Sequence, residues 1–215
     1  MALVRGLPLV LLLALAACGG GTKETQATST DANGCTTVEQ PKPASRTEAK
    51  PTKRLDPAKH YDVTFRTNCG SFTVRLAVRV SPATAASFAS LVRKGYFDHT
   101  IFHRIIPDYI VQGGDPTASG QGGPGYTTVD APPARTKYTL GLVAMAKTPS
   151  EAPGTSGSQF FVVTAQDAPL PPDYAVLGSV TKGLQVVNTI GQLGDATTEQ
   201  PTEIVEIQKA TLHVS

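Results

Sequence analysis

Hydrophobic and polar positions change rhythm several times along this chain, and each change marks an element. From His60 the pattern alternates: Val63 and Phe65 share a face, Asn68, Cys69 and Gly70 form a turn, and Phe72, Val74 and Leu76 resume the apolar face. Period-two alternation around a glycine-bearing turn predicts a β-hairpin, because successive strand side chains point to opposite faces. Ser81 and Pro82 then offer an N-cap and a first helical residue, Ala85, Phe88, Leu91 and Val92 recur at helical spacing, and Gly95 ends the run. The spacing predicts an amphipathic helix of about 13 residues with its Phe and Leu face on the sheet. Short β-rich segments follow at 101–106, 109–112, 138–146, 159–164 and 175–180, separated by loops rich in Gly and Pro. A second helix fits 184–190, closing before Gly191, and 204–214 alternates as a last strand. Many short strands with two helices predict a mainly β fold, an antiparallel barrel or sandwich with helices over its open ends.

Upstream of the alternation the chain changes character. It begins MALVRGLPLVLLLALAAC, with one Arg near the start, an apolar stretch over 7–15 and small residues ending at Cys18. That stretch is broken by Pro8 and falls short of the roughly 20 residues a spanning helix needs, so 1–17 is expected to be a cleaved signal peptide. Leu15, Ala16, Ala17 and Cys18 resemble a bacterial lipobox. The resemblance implies lipidation at Cys18 and an extracytoplasmic protein anchored to the cell membrane by lipid. Residues 18–55 hold almost no large apolar side chain before Leu55 and are expected to form a flexible tether, leaving 56–215 as the folded domain. Lys42, Arg46, Lys50, Lys53 and Arg54 read as solvated linker charges rather than lipid contacts. Cys35 and Cys69, in a chain bound for an oxidising exterior, are a candidate disulfide.

With 215 residues and 40% apolar composition, the chain has material for one sizeable core. Its net charge of +2, with 17% charged residues, gives no basic field for nucleic acid. The densest chemistry lies in FHRIIPDYIVQGGD, residues 102–115, which sets Arg104 among aromatic and aliphatic neighbours. It offers His103, Gln112 and Asp115, but no nucleophile, paired acids or ligand cluster. A site of that make-up suits an uncharged, apolar substrate. The glycine-rich run 113–125 lacks the Gly-Lys-Ser/Thr ending of a phosphate cradle and reads as a surface loop.

Together with GLVAMAK (141–147) and GTSGSQFFV (154–162), that run resembles the cyclophilins, a family of peptidyl-prolyl cis/trans isomerases. The likeness extends from about Tyr61 to the C-terminus. It implies a closed antiparallel eight-stranded barrel capped by two α-helices. It also implies a monomeric isomerase that acts on proline-containing polypeptides with no cofactor or metal, here assisting the folding of exported proteins. By the same resemblance Arg104 donates to the prolyl nitrogen, and Gln112 binds substrate backbone and helps hold Arg104. Tyr109, Ile110, Phe161 and Leu170 line the proline pocket, where the family pattern is Phe, Met, Phe and Leu. Ala146 gives the substrate backbone room to approach, and Tyr174 closes one side.

Alternation assigns Phe102 and Phe160 to the core, and His103 reads as structural. Lys147 stands where well-known members carry Asn, and either favours acidic substrates or projects into water. No tryptophan precedes Leu170, which weakens the expected grip on cyclosporin. The competing reading is a non-catalytic proline-binding chaperone or adaptor on the same fold.

Overall fold

The computed structural model describes Ala2, Thr30 and residues 33–215, so Cys18 and the rest of the expected signal peptide lie outside the described residues. In chain order the elements are β1 (Tyr61–Thr67), β2 (Gly70–Leu76), α1 (Pro82–Arg93), β3 (Thr100–Ile101), β4 (Arg104–Ile106), β5 (Ile110–Gly113) and β6 (Thr128–Val129). After these come β7 (Tyr138–Thr139), β8 (Leu142–Met145), β9 (Thr155–Ser156), β10 (Phe160–Val163), β11 (Asp167–Ala168), β12 (Val176–Lys182), α2 (Leu184–Gly191) and β13 (Glu206–Val214).

Nine of these strands form one antiparallel sheet in the order β3-β13-β1-β2-β12-β8-β10-β5-β4. Its two outermost strands are neighbours in the chain, separated only by Phe102 and His103. One half of this run pairs with β13 and the other with β5, so the sheet curls until both edges meet in a single stretch of chain. Counted as one bent strand, that stretch gives the eight strands expected. A second departure is at 138–146, where Gly141 at φ +81° turns the chain between β7 and β8 instead of letting one strand run through.

The core follows from alternation. Val63 and Phe65 of β1 and Phe72 and Val74 of β2 are all buried inside the curl. Phe160 sits among Phe65, Phe88, Phe97 and Phe102, with ring centroids 5.2 to 6.1 Å away. Helix α1 covers this cluster with Ala85, Phe88, Leu91 and Val92. Its N-terminus is capped differently from the expectation: the Ser81 side chain makes no cap bond, and the Thr84 amide donates instead to Asp130 Oδ2 at 2.6 Å. A carboxylate at a helix N-terminus satisfies an orphan amide and opposes the dipole favourably, whichever loop supplies it.

Over 33–55 the segment expected to be a flexible tether lies along the domain as a strap. Cys35 and Cys69 are joined by a disulfide, and Asn68 ties the same region down by donating from Nδ2 to the Thr36 carbonyl at 2.8 Å. Further along, the Ala44 and Glu48 amides donate to the carbonyls of Pro116 and Pro124, and Lys50 Nζ donates to Thr127 O. Arg46 reaches the carbonyls of Tyr96 and Asp98 beyond the end of α1. Low hydrophobicity keeps this segment from building a core of its own, but its backbone and cations still find carbonyl partners on a folded surface. Among the described residues no helix is long and apolar enough to cross a membrane.

Candidate active site

The ladder between β4 and β5 sets Arg104 opposite Gln112, so both side chains rise from one face of the sheet. Arg104 Nη1 donates to Gln112 Oε1 at 3.2 Å. Gln112 Nε2 donates to Gln159 Oε1 at 3.0 Å, and Gln159 Nε2 to the carbonyls of Gly120 and Gly122. On its other side Arg104 Nε donates to Glu199 Oε2 at 2.7 Å.

Strand β10 is buried on both faces, and alternation gives the faces different tasks. Phe160 and Val162 enter the barrel core, whereas Phe161 and Val163 join a second apolar cluster with Ile110, Tyr138, Ala144 and Ala168. Tyr109, Ala146, Leu170 and Tyr174 pack against this second cluster. The Tyr174 ring stands edge-on to Phe161, centroids 5.5 Å apart at 87°. Beneath them the Tyr138 hydroxyl donates to the Tyr174 carbonyl at 2.7 Å and accepts from the Tyr174 amide at 3.0 Å. Burial pushes the Tyr138 phenol up to about 12, which keeps this hydroxyl a neutral clamp on the chain.

These residues enclose a cleft of about 520 Å³ whose walls include Arg104, Gln112, Tyr109, Ile110, Ala146, Phe161, Leu170 and Tyr174. Every side chain expected at the site is therefore brought together. A more polar cleft of about 690 Å³ adjoins it past Gln112 and Ala146, under the loop that runs from Gly120 to Thr127. Lys147 does not simply project into water. Its ammonium turns back on the cleft wall, donating to the carbonyls of Thr148 and Glu151 at 3.1 Å and standing 5.7 Å from the Tyr174 ring.

His103 lies against the same cleft with neither ring nitrogen hydrogen-bonded. Burial pushes its pKa down; the Asp115 carboxylate pulls it back up, the Arg104 charge lowers it again, and the neighbouring Gln159 side chain raises it.

Sequence reasoning gave no role to three residues that the structure places at the site. Glu199 lies 95 positions from Arg104, on the loop after α2, and no motif marks it. Gln159 sits inside a recognised motif, yet its link between Gln112 and the glycine loop depends on register across two ladders. Asp115 is fully buried and organises that loop: Oδ1 accepts from the Thr117 amide and hydroxyl, and Oδ2 from the amides of Ser119 and Gly122. Gly122 is required here, since a Cβ would stand 1.9 Å from Asp115 Oδ1.

Burial alone would raise the Asp115 pKa, but bonds from the Thr117 hydroxyl and from surrounding amides outweigh it and hold the carboxyl below its usual 3.8. A depressed carboxylate stabilises the fold above the unfolded-state value and loses that contribution as pH falls through the folded-state value. The thermal midpoint is therefore expected to drop as pH is lowered from about 5 through the carboxylate range, and Asp115→Asn to flatten part of that drop. Identical pH profiles for the two proteins would contradict this.

Comparison with known proteins was consistent with this geometry. The family described as "Cyclophilin type peptidyl-prolyl cis-trans isomerase/CLD" matches residues 62–212. A peptidyl-prolyl cis-trans isomerase of Arabidopsis thaliana is 38% identical over 150 residues, 68% of this chain and 90% of that protein. The peptidyl-prolyl cis-trans isomerase-like 1 of Mus musculus is 37% identical over 153 residues, 69% of this chain and 90% of its own length. Among solved structures, a cyclophilin-type isomerase of Cryptosporidium parvum superposes with a TM-score of 0.65 at 30% identity, covering 72% of this chain and 98% of the other. A second structure of that protein, in the presence of the dipeptide Ala-Pro, gives a TM-score of 0.64 at the same identity, over 71% and 98% of the two chains.

Proposed function

This chain belongs to the cyclophilin-type peptidyl-prolyl cis-trans isomerases, and we propose that it turns prolyl bonds in exported proteins with Arg104 as the donor to the prolyl nitrogen. An amide resists rotation by about 18–20 kcal/mol because its nitrogen lone pair is delocalised into the carbonyl. No bond need break to lower that barrier. As the bond twists, the nitrogen becomes pyramidal and regains its lone pair, and a donor aimed there binds the transition state better than either ground state. A guanidinium suits the task because it stays charged at any working pH and presents its N–H groups in fixed geometry. The apolar wall of Tyr109, Ile110, Phe161 and Leu170 offers the ring a place to sit, and Gln112 and Ala146 face the flanking backbone.

The observation that carries this reading is the placement of Arg104, pinned by Gln112, in the same cleft as the apolar wall of Tyr109, Ile110, Phe161 and Leu170. The Cryptosporidium structure in the presence of Ala-Pro supports a prolyl peptide as the ligand. The test is to add the purified chain to a prolyl peptide whose uncatalysed isomerisation takes tens to hundreds of seconds. Acceleration with saturation supports the reading. Binding without acceleration would point instead to the non-catalytic adaptor.

The export half of the proposal rests on the lipobox-like Leu15–Cys18 run and on the Cys35–Cys69 disulfide, which suits an oxidising compartment. Cells expressing the chain are expected to incorporate labelled palmitate into it and to lose that label in Cys18→Ala. Label that persists in the variant would contradict anchoring at Cys18.

A further inference from the structure

We propose that Glu199 is a positioning residue for Arg104, fixing which part of the guanidinium is left to meet the substrate; the inference rests on the role given to Arg104 above. A guanidinium carries five N–H donors in one plane, so two acceptors at different nitrogens fix both its position and its tilt. Glu199 Oε2 takes the Nε donor at 2.7 Å and Gln112 Oε1 takes an Nη1 donor at 3.2 Å. Among the described residues neither contact uses Nη2, which stays available to a ligand. With Gln112 alone, the group could pivot about one contact. With both, its plane is set before substrate arrives.

The way Glu199 is held argues that its placement matters. Its backbone is in the left-handed region at φ +59°, a conformation that is unfavourable for a residue with a Cβ and persists only where neighbours enforce it. Asp195 supplies that enforcement: its carbonyl accepts from the Glu199 amide at 2.8 Å, and its Oδ1 accepts from the amides of Thr197 and Thr198 at 2.8 and 2.7 Å. The Glu199 carbonyl in turn accepts from the Ile105 amide at 2.9 Å, next to Arg104 on β4. The loop is thus locked to the strand that carries the donor.

Stability does not account for the arrangement. The two side chains are 38% and 44% exposed, and ion pairs that wet contribute little to folding. What a wet but well-held acceptor does provide is orientation, which appears in turnover rather than in melting.

The experiment measures kcat and KM separately on a prolyl peptide for the full chain and its variants, alongside thermal midpoints and the Arg104 Nε–H proton resonance. Glu199→Ala is expected to lower kcat about tenfold with KM within about twofold, because an interaction serving mainly the transition state is lost. Glu199→Gln retains an acceptor oxygen and is expected to recover most of that loss, with the Nε–H resonance kept in Gln and displaced in Ala. Asp195→Ala, which touches neither Arg104 nor the cleft, should lower kcat in the same direction by loosening the loop. A kcat in Glu199→Ala within about twofold of the parent, or a Gln variant no better than Ala, overturns the assignment. If Arg104→Ala abolishes acceleration and Glu199→Ala does not, only the role of Glu199 falls. If Arg104→Ala leaves acceleration intact, the reading of Arg104 fails and that of Glu199 with it.

Discussion

Arg104→Ala lowers kcat/KM toward a prolyl peptide by about 10²- to 10³-fold, the loss expected when a fixed donor to a group that gains electron density in the transition state is removed. The magnitude follows from the make-up of the cleft. The remaining walls, Tyr109, Ile110, Phe161 and Leu170, are expected to bind an apolar ring in either isomer and in the twisted form about equally. Uniform binding of that kind leaves the barrier where it was. On the proposed role, Arg104 is the group in the cleft whose interaction would strengthen as the nitrogen recovers its lone pair. Arg104→Lys keeps the charge but loses the planar fork that Gln112 and Glu199 hold, so it is expected to stay more than about tenfold impaired. Neither change should melt the protein, because the Arg104 side chain is 38% exposed and lies outside the core. Kinetics on folded variants, checked by circular dichroism, read this directly, and a loss smaller than about tenfold for Arg104→Ala would contradict it.

Opening the Cys35–Cys69 disulfide is expected to cost on the order of 3–4 kcal/mol of stability, the chain-entropy value for a closed loop of this length. The two cysteines are 34 residues apart, and Cys35 is 2% exposed although it stands at the start of a polar segment. Once released, the strap would leave Pro116, Pro124 and Thr127 without the donors from Ala44, Glu48 and Lys50. Pro124 and Thr127 lie in the loop that roofs the polar cleft and Pro116 shortly before it, so local disorder should reach the site as well. Denaturant midpoints of the oxidised and reduced chain, and of Cys35→Ser with Cys69→Ser, measure the effect. Equal midpoints would show that the strap is held by its surface contacts alone.

That strap is also where sequence reasoning erred most. Residues 33–55 have the composition of a solvated linker, and composition reports whether a segment can build a core, not whether its amides and cations will find carbonyls on a core built elsewhere. The barrel was far more legible. Alternation separated Phe160 from Phe161 correctly, because a strand buried on both faces still sends successive side chains to different clusters. The resemblance carried by the three motifs and by the segment around Leu170 picked out eight residues, and all eight line the cleft. Glu199 and Asp130 were illegible for a shared reason. Each acts across a long stretch of chain on a local feature, the donor guanidinium or the first turn of α1, and a single sequence carries no distances. The break of the 100–106 strand at Phe102 and His103 was hidden likewise, because hydrophobic pattern does not reveal where a closing strand changes partners.

The central claim, that one apolar cleft holds the prolyl ring while Arg104 acts on its nitrogen, is tested most directly by exchange NMR on a prolyl peptide with the full chain. The account predicts cis/trans exchange peaks that grow with added protein and vanish in Arg104→Ala, while the peptide still perturbs the resonances of Phe161 and Leu170 in both proteins. Exchange that survives in Arg104→Ala, or perturbations confined to a surface away from Phe161 and Leu170, would contradict it.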